Sequence, residues 1–211
     1  MATFQELVGL AAMASLWMLG ITRVRSMLWG LGAQGAALGA LLLFRGINNG
    51  SIGETLLGCA VIAVKAIAIP VFLNWSACRL HVVRDRGVGL GPGLAMLAGA
   101  LIVVLCYFKS GWFSAAGSVS GNAGLAIATV LMGLIIMMTR RLALGMLIGF
   151  LVLDNGIFSY AFTQTPGIPV VIELGVLFDL FMGVLLAGMV LFRVSRSFEH
   201  MDVLEMRELH E

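Results

Sequence analysis

The chain has 211 residues, of which 60% are apolar and 11% are charged, and its formal net charge is +2. A mean hydropathy of +1.04 excludes a water-soluble globular domain of this size. We therefore expect an integral membrane protein, with no nucleic-acid partner.

The apolar runs of the sequence predict an all-α membrane fold. A helix rises 1.5 Å per residue and the hydrocarbon core is about 30 Å thick, so one span needs about 20 mostly apolar residues. The runs are continuous and lack the alternation of outer-membrane strands. Residues 1–6 contain no Lys or Arg, so we interpret the N-terminal run as a first span and not a signal peptide. About seven spans are predicted, at residues 7–21, 27–44, 56–76, 94–108, 121–138, 142–162 and 169–192.

Basic residues indicate how these spans are oriented. With seven spans, ten of the thirteen basic residues follow the odd-numbered spans and lie on one side of the membrane. They are Arg23, Arg25, Arg79, Arg84, Arg86, Arg140, Arg141, Arg193, Arg196 and Arg207. Arg45 and Lys109 lie on the opposite side. The positive-inside rule thus predicts a multi-pass protein of the cell inner membrane, with its N-terminus outside and its C-terminus in the cytoplasm.

Ionisable side chains fall near the predicted membrane centre. Lys65, Asp154 and Asp179 lie close to the midpoints of the third, sixth and seventh spans. Each such charge costs about 2.5–3.5 kcal/mol, so these side chains should face other helices, a partner or water. One interpretation is a neutral pair that holds helices in register. The other is a proton relay, with Glu173 either a fourth member or at headgroup level.

Neighbouring polar residues and one proline would support such a relay. Pro70 removes a backbone hydrogen bond and frees the carbonyl one turn earlier, beside Lys65, which predicts a kink. Gln34, Asn74 and Asn155 either extend a hydrogen-bonded path or join helices.

Small residues in the second span favour close helix packing. These are Gly30, Gly32, Gly35 and Gly39, which recur at helical spacings.

From the positions of the cysteines and histidines we expect no cofactor and no metal site. Cys59, Cys78 and Cys106 form no CxxC pair, which disfavours disulfides and iron–sulfur ligation. The histidines, His81, His200 and His210, lie outside the predicted spans, so they provide no intramembrane pair for haem.

The C-terminal part of the chain resembles the small K subunit of bacterial complex I. The string Arg-Arg-Leu-Ala-Leu-Gly-Met-Leu-Ile-Gly at 140–149, followed by Asp154-Asn155-Gly156, is similar to the second helix of that subunit. Asp179 and the residues at 182–186 resemble its third helix, in which Asp179 would take the place of a membrane glutamate. The glutamate of its second helix aligns instead with Leu151, and the acid of this chain stands one turn later, at Asp154.

Over its full length the chain resembles the hydrogenase-4 component E family. Lys65 with Pro70, Asp154-Asn155-Gly156, and 173–175 followed by Asp179 are similar to that family's motifs. The resemblance implies a four-helix region at 1–120, a K-like three-helix region at 121–196 and a cytoplasmic tail at 197–211.

The same resemblance implies a non-catalytic subunit of a complex I-like energy-converting hydrogenase or formate hydrogenlyase. Its partners would be antiporter-like membrane subunits and hydrogenase or quinone-reductase-type subunits. Its buried charges would contribute to proton or sodium translocation. A self-sufficient secondary transporter and a purely structural membrane anchor are the alternatives.

Overall fold

A computed structural model of the chain describes residues 2–79, 85, 91–112, 120–164 and 175. These residues form helices and no strand. The α-helices are α1 (Ala2–Gly20), α2 (Val24–Asn49), α3 (Ile52–Val61), α4 (Ile69–Arg79), α5 (Pro92–Phe108), α6 (Ser120–Thr139) and α7 (Ala143–Gln164). A π-helical segment, Ile62–Ala68, joins α3 to α4, and a 3₁₀ turn, Ser110–Trp112, follows α5. The described residues belong to one compact unit, Met1–Val176.

Within the part of the chain that the structure describes, four helical stretches are long and apolar enough to cross a membrane, which makes the chain a membrane protein. They are Val24–Asn49, Ile52–Cys78, Asn122–Thr139 and Ala143–Thr163. They match the second, third, fifth and sixth predicted spans. The first and fourth predicted spans correspond to α1 and to the shorter apolar helix α5. The seventh, at 169–192, lies outside the described residues.

The connection between α2 and α3 is a glycine-capped turn. Gly50 adopts a left-handed conformation with φ of 63°, and the Ser51 backbone N–H donates to the Gly46 carbonyl oxygen at 3.0 Å. The Ser51 hydroxyl then accepts the Glu54 N–H, which caps the first turn of α3. This short turn makes α2 antiparallel to the long helical stretch that follows it.

Helix α2 packs closely against that stretch through glycines, which confirms the predicted role of these small residues. A Cβ atom on Gly35 would lie 2.6 Å from the Lys65 carbonyl carbon, and one on Gly39 would overlap Ile62. Gly32 faces the Ala66 carbonyl oxygen in the same way, whereas Gly30 faces Met18 of α1. The backbones approach closely because no side chain separates them.

The sequence predicts a kink beside Pro70, and the structure has a π-helical segment, Ile62–Ala68, in the turns before it. The Ile69 N–H donates to Val64, five residues earlier, in place of the residue four positions back. In an α-helix the ring of Pro70 would clash with the Ala66 carbonyl and leave it without its N–H partner. The wider π turn occurs immediately before this proline, and Lys65 lies within it.

Helix α2 lies at the centre of the described bundle. It contacts α1, the whole stretch from α3 to α4, and α7, while α6 packs against α1, α5 and α7. The hydrophobic core around it joins residues of four of these elements: Val8, Leu38, Leu41, Leu42, Val61, Phe158 and Phe162. This arrangement brings the middle of α7 next to the π-helical segment.

Candidate functional site

A buried ion pair lies in the middle of the bundle. The Lys65 Nζ atom donates to the Asp154 Oδ2 atom at 2.9 Å and to the Asn155 Oδ1 atom at 3.0 Å. The Lys65 side chain is 4% exposed and that of Asp154 is 13% exposed. Lys65 lies at the middle of the stretch from α3 to α4, and Asp154 at the middle of α7. The structure therefore joins two of the predicted membrane charges directly.

An aromatic ring completes the surroundings of the lysine. Lys65 Nζ lies 5.0 Å from the centroid of the Phe158 ring, one turn after Asp154 on α7. A desolvated ammonium over a ring face gains about 2 kcal/mol. The Asp154 carboxylate, the Asn155 amide and the Phe158 ring, all on α7, therefore surround the same Lys65 ammonium.

A chain of buried polar side chains extends from the ion pair to α1. The Asn155 Nδ2 atom donates to the Gln34 Oε1 atom at 3.4 Å. Gln34 in turn donates through its Nε2 atom to the Ser15 hydroxyl at 2.5 Å and to the Ala11 carbonyl oxygen at 2.9 Å. Gln34 and Ser15 are fully buried. Three of the predicted residues, Lys65, Asp154 and Asn155, are therefore linked through Gln34 to α1.

Ser15 is a member of this chain that sequence reasoning missed. Its hydroxyl donates to the Ala11 carbonyl oxygen at 3.0 Å, a bond within its own helix. A serine in an apolar helix usually makes this local bond, so the sequence contains no signal of a longer connection.

Two of the predicted supporting residues, Pro70 and Asn74, lie away from the hydrogen-bonded chain around the ion pair. Pro70 and Asn74 line a groove of about 300 Å³ between α2 and α4. Asn74 takes no part in the hydrogen bonds that connect Lys65 to Ser15, so the structure does not place it on the predicted path.

The remaining predicted site residues, Glu173 and Asp179, lie outside the described residues. Gly175, between them in the sequence, is described and is helical. A Cβ atom on Gly175 would lie 3.2 Å from the Phe158 ring. Gly175 therefore lies next to the aromatic ring that covers Lys65.

A second buried ionic cluster, also missed by sequence reasoning, lies where helices end. Arg140, between α6 and α7, is 4% exposed and donates to the carbonyl oxygens of Met18 at 3.2 Å and Ile21 at 2.6 Å. These carbonyls belong to the end of α1, where the helix dipole favours a cation. Burial lowers the pKa of Arg140, and the negative charge of Asp85 opposes this effect.

Asp85 connects the same cluster to the start of α7. Its carboxylate accepts the backbone N–H groups of Arg141 and Leu142, each at 3.2 Å, and its own N–H donates to the Thr22 carbonyl oxygen at 2.9 Å. A carboxylate at a helix N-terminus is stabilised by the unpaired N–H groups there. Asp85 and Arg140 together hold the end of α1 against the turn from α6 to α7.

Possible metal ligands are scattered over the described part of the chain. No three His, Cys, Asp or Glu side chains come together there. The three cysteines are free thiols, with Cys59 and Cys78 exposed and Cys106 buried.

Comparison with known proteins finds a relative that matches over its full length. The chain is 31% identical over 217 aligned positions to the "Uncharacterized protein Rv0085" of Mycobacterium tuberculosis (strain ATCC 25618 / H37Rv). The alignment covers 100% of this chain and 99% of the relative. The chain belongs to the family of that protein. This family membership therefore concerns the whole sequence and not a shared segment. No protein-family description and no solved structure matches the chain.

Proposed function

We propose that this chain is a non-catalytic membrane subunit of a complex I-like energy-converting hydrogenase or formate hydrogenlyase. In this proposal it has seven spans, with the N-terminus outside and the C-terminus in the cytoplasm. Its buried charges contribute to proton or sodium translocation that is driven by electron transfer in partner subunits. The resemblance of its motifs to the hydrogenase-4 component E family provides the class of complex.

The buried Lys65–Asp154 pair is the observation that carries the proposal. Both side chains lie at mid-helix positions of membrane-spanning stretches, where an ionic pair is costly unless it is hydrogen-bonded. Asn155 provides the additional acceptor for the lysine. Ionisable groups that face the interior of a membrane bundle commonly mark ion pathways.

The π-helical segment also supports a role in translocation. Isolated π turns in helices occur frequently at functional sites. Here the segment contains the lysine itself, and α2 contacts it through Gly35, with no side chain between the backbones. Small changes in this segment would move the ammonium relative to Asp154.

A structural anchor is the second candidate, and a specific observation favours it. The pair is neutral as a whole, and the ammonium has two hydrogen-bond acceptors and an aromatic ring around it. Such a pair holds α7 against the π-helical segment without moving an ion. The two candidates differ in what happens to translocation when the charges are removed.

The test uses the intact complex in inverted membrane vesicles. The variants are Lys65→Met, Lys65→Arg and Asp179→Asn, and the readouts are electron-transfer rate and acidification measured with a pH-sensitive dye. We expect Lys65→Met and Asp179→Asn to abolish acidification while the assembled complex persists. Lys65→Arg retains the positive charge but cannot release a proton, so it should preserve assembly of the complex without restoring acidification.

A matched control is present in the same chain. Arg45 and Glu54 form an ion pair of 3.7 Å whose side chains are 21% and 28% exposed. Arg45→Met should leave acidification unchanged. Full acidification in Lys65→Met would refute the relay and favour the anchor.

Copurification tests the complex itself. An affinity-tagged chain should bring hydrogenase-type and antiporter-like subunits with it from membranes. Isolation of the chain alone, with ion transport in reconstituted vesicles, would instead favour a self-sufficient transporter.

A further inference from the structure

A groove between α2 and α4 lies at the surface of the described bundle. It is lined at one end by Arg25 and Asn74 and further along by Trp29, Val71 and Ala66, and its volume is about 300 Å³. Arg25 and Asn74 lie near the ends of their helices, and Ala66 lies near the middle of the long stretch. The groove is therefore polar at the membrane edge and apolar toward the membrane centre.

The dimensions of the groove suit a hydrocarbon chain better than a protein helix. Its residues on α2 extend from Arg25 to Gly32, a rise of about 10 Å at 1.5 Å per residue. A helix with side chains is about 10–12 Å in diameter, so a groove of this length and volume could admit only part of its side chains, whereas a single hydrocarbon chain fits along it.

The charges of the groove favour an anionic headgroup. Arg25 is exposed, and its guanidinium provides paired N–H donors that match a phosphate. Among the described residues that line the groove none is acidic, so these residues offer no carboxylate to a positively charged ammonium headgroup. Trp29, 75% exposed, has the amphipathic side chain that is enriched at headgroup depth.

We propose that this groove binds one anionic phospholipid, with its phosphate on Arg25 and one acyl chain lying along Trp29 and Val71 toward Ala66. Basic pockets between transmembrane helices are suited to anionic lipids. The end of the acyl chain would then pack against the π-helical segment that carries Lys65. This site is separate from the ion pair and does not depend on the proposed function.

Quenching of Trp29 fluorescence by brominated lipids tests the proposal directly. The full chain, with its other tryptophans Trp17, Trp75 and Trp112 changed to Phe, is reconstituted in phosphatidylcholine vesicles. Brominated phosphatidylglycerol or brominated phosphatidylcholine is then titrated in. One Arg contributes roughly a fivefold preference for an anionic lipid. We therefore expect half-maximal quenching at about fivefold less phosphatidylglycerol than phosphatidylcholine.

Two pairs of variants locate the binding site. Arg25→Gln should abolish the preference, while Arg23→Gln, an exposed arginine outside the groove, should retain it. Val71→Phe should fill the groove and reduce quenching by both lipids. Val104→Phe, at an exposed position on α5, should not.

Three results would overturn the proposal. Equal quenching by the two lipids would show ordinary contact with bulk lipid. Loss of the preference in Arg23→Gln as well would show general surface charge. Absence of quenching by either lipid, while a brominated detergent quenches Trp29 in the purified chain, would show that protein covers the groove.

Discussion

The strength of the Lys65–Asp154 pair can be measured with a double-mutant cycle. Lys65→Met removes the 2.9 Å ion pair and leaves the Asp154 carboxylate buried without its cation, which should cost about 3–5 kcal/mol of unfolding free energy. Asp154→Asn should cost about 1–3 kcal/mol, because Asn155 and the Phe158 ring still surround the ammonium. The double variant contains neither charge and should lose only about 1–2 kcal/mol. The coupling energy is then about 2 kcal/mol or more.

The assay is reversible unfolding in mixed detergent micelles, followed by circular dichroism. The Arg45–Glu54 pair, which is more exposed than Lys65–Asp154, is the control, and the same cycle on it should give a coupling energy of about 0.2–1 kcal/mol. A Lys65–Asp154 coupling energy below about 0.5 kcal/mol would refute the buried pair. Acidification by the complex separates the two functions further. A relay should stay inactive in the double variant, whereas with an anchor the double variant should acidify at least as well as Lys65→Met.

Three other substitutions test the surrounding structure with the same unfolding assay. Gly35→Ala should cost about 1–3 kcal/mol because its Cβ would lie 2.6 Å from the Lys65 backbone, whereas Gly53→Ala, with open space around it, should be neutral or stabilising. Gln34→Leu should cost about 1–3 kcal/mol because it leaves the Asn155 amide without its acceptor, and an unchanged stability would contradict the polar chain. Arg140→Lys should cost about 1.5–3 kcal/mol, since Nη2 binds two carbonyls at the end of α1 while Nη1 binds the Asp85 carbonyl oxygen, and one ammonium cannot replace both arms. Equal stability would show that these bonds are unimportant.

The helices were predictable from hydropathy, but their ends were not. Membrane helices continue past the apolar run, because polar residues such as Asn49 and Thr139 remain helical at the membrane edge. The glycines of α2 were predictable because few interactions other than close backbone packing use small residues at helical spacing. The π-helical segment was predictable only as a disturbance near Pro70, since the way a helix accommodates a proline depends on its neighbours.

The free-energy cost of charges at membrane depth could be predicted from the sequence, but which side chains pair, and at what distance, could not. A charge at membrane depth must find a partner, which made Lys65 and Asp154 candidates from position alone. Asp85 gave no such signal, because a lone acid between basic residues in a connecting segment has the composition of a solvated surface. Its role depends on the end of α1 lying next to the start of α7. No local sequence pattern predicts this contact.

A proton relay needs a further titratable group beyond the pair. The described carboxylates other than Asp154 are Glu6, Glu54 and Asp85. Of these, Glu54 pairs with Arg45, and Asp85 binds the start of α7. The relay interpretation therefore depends on the acids at 173 and 179. Gly175, between these positions in the sequence, lies next to the Phe158 ring, whose centroid is 5.0 Å from the Lys65 ammonium. The anchor interpretation requires no such neighbour, so the effect of Asp179→Asn on translocation decides between the two more directly than any change to the pair itself.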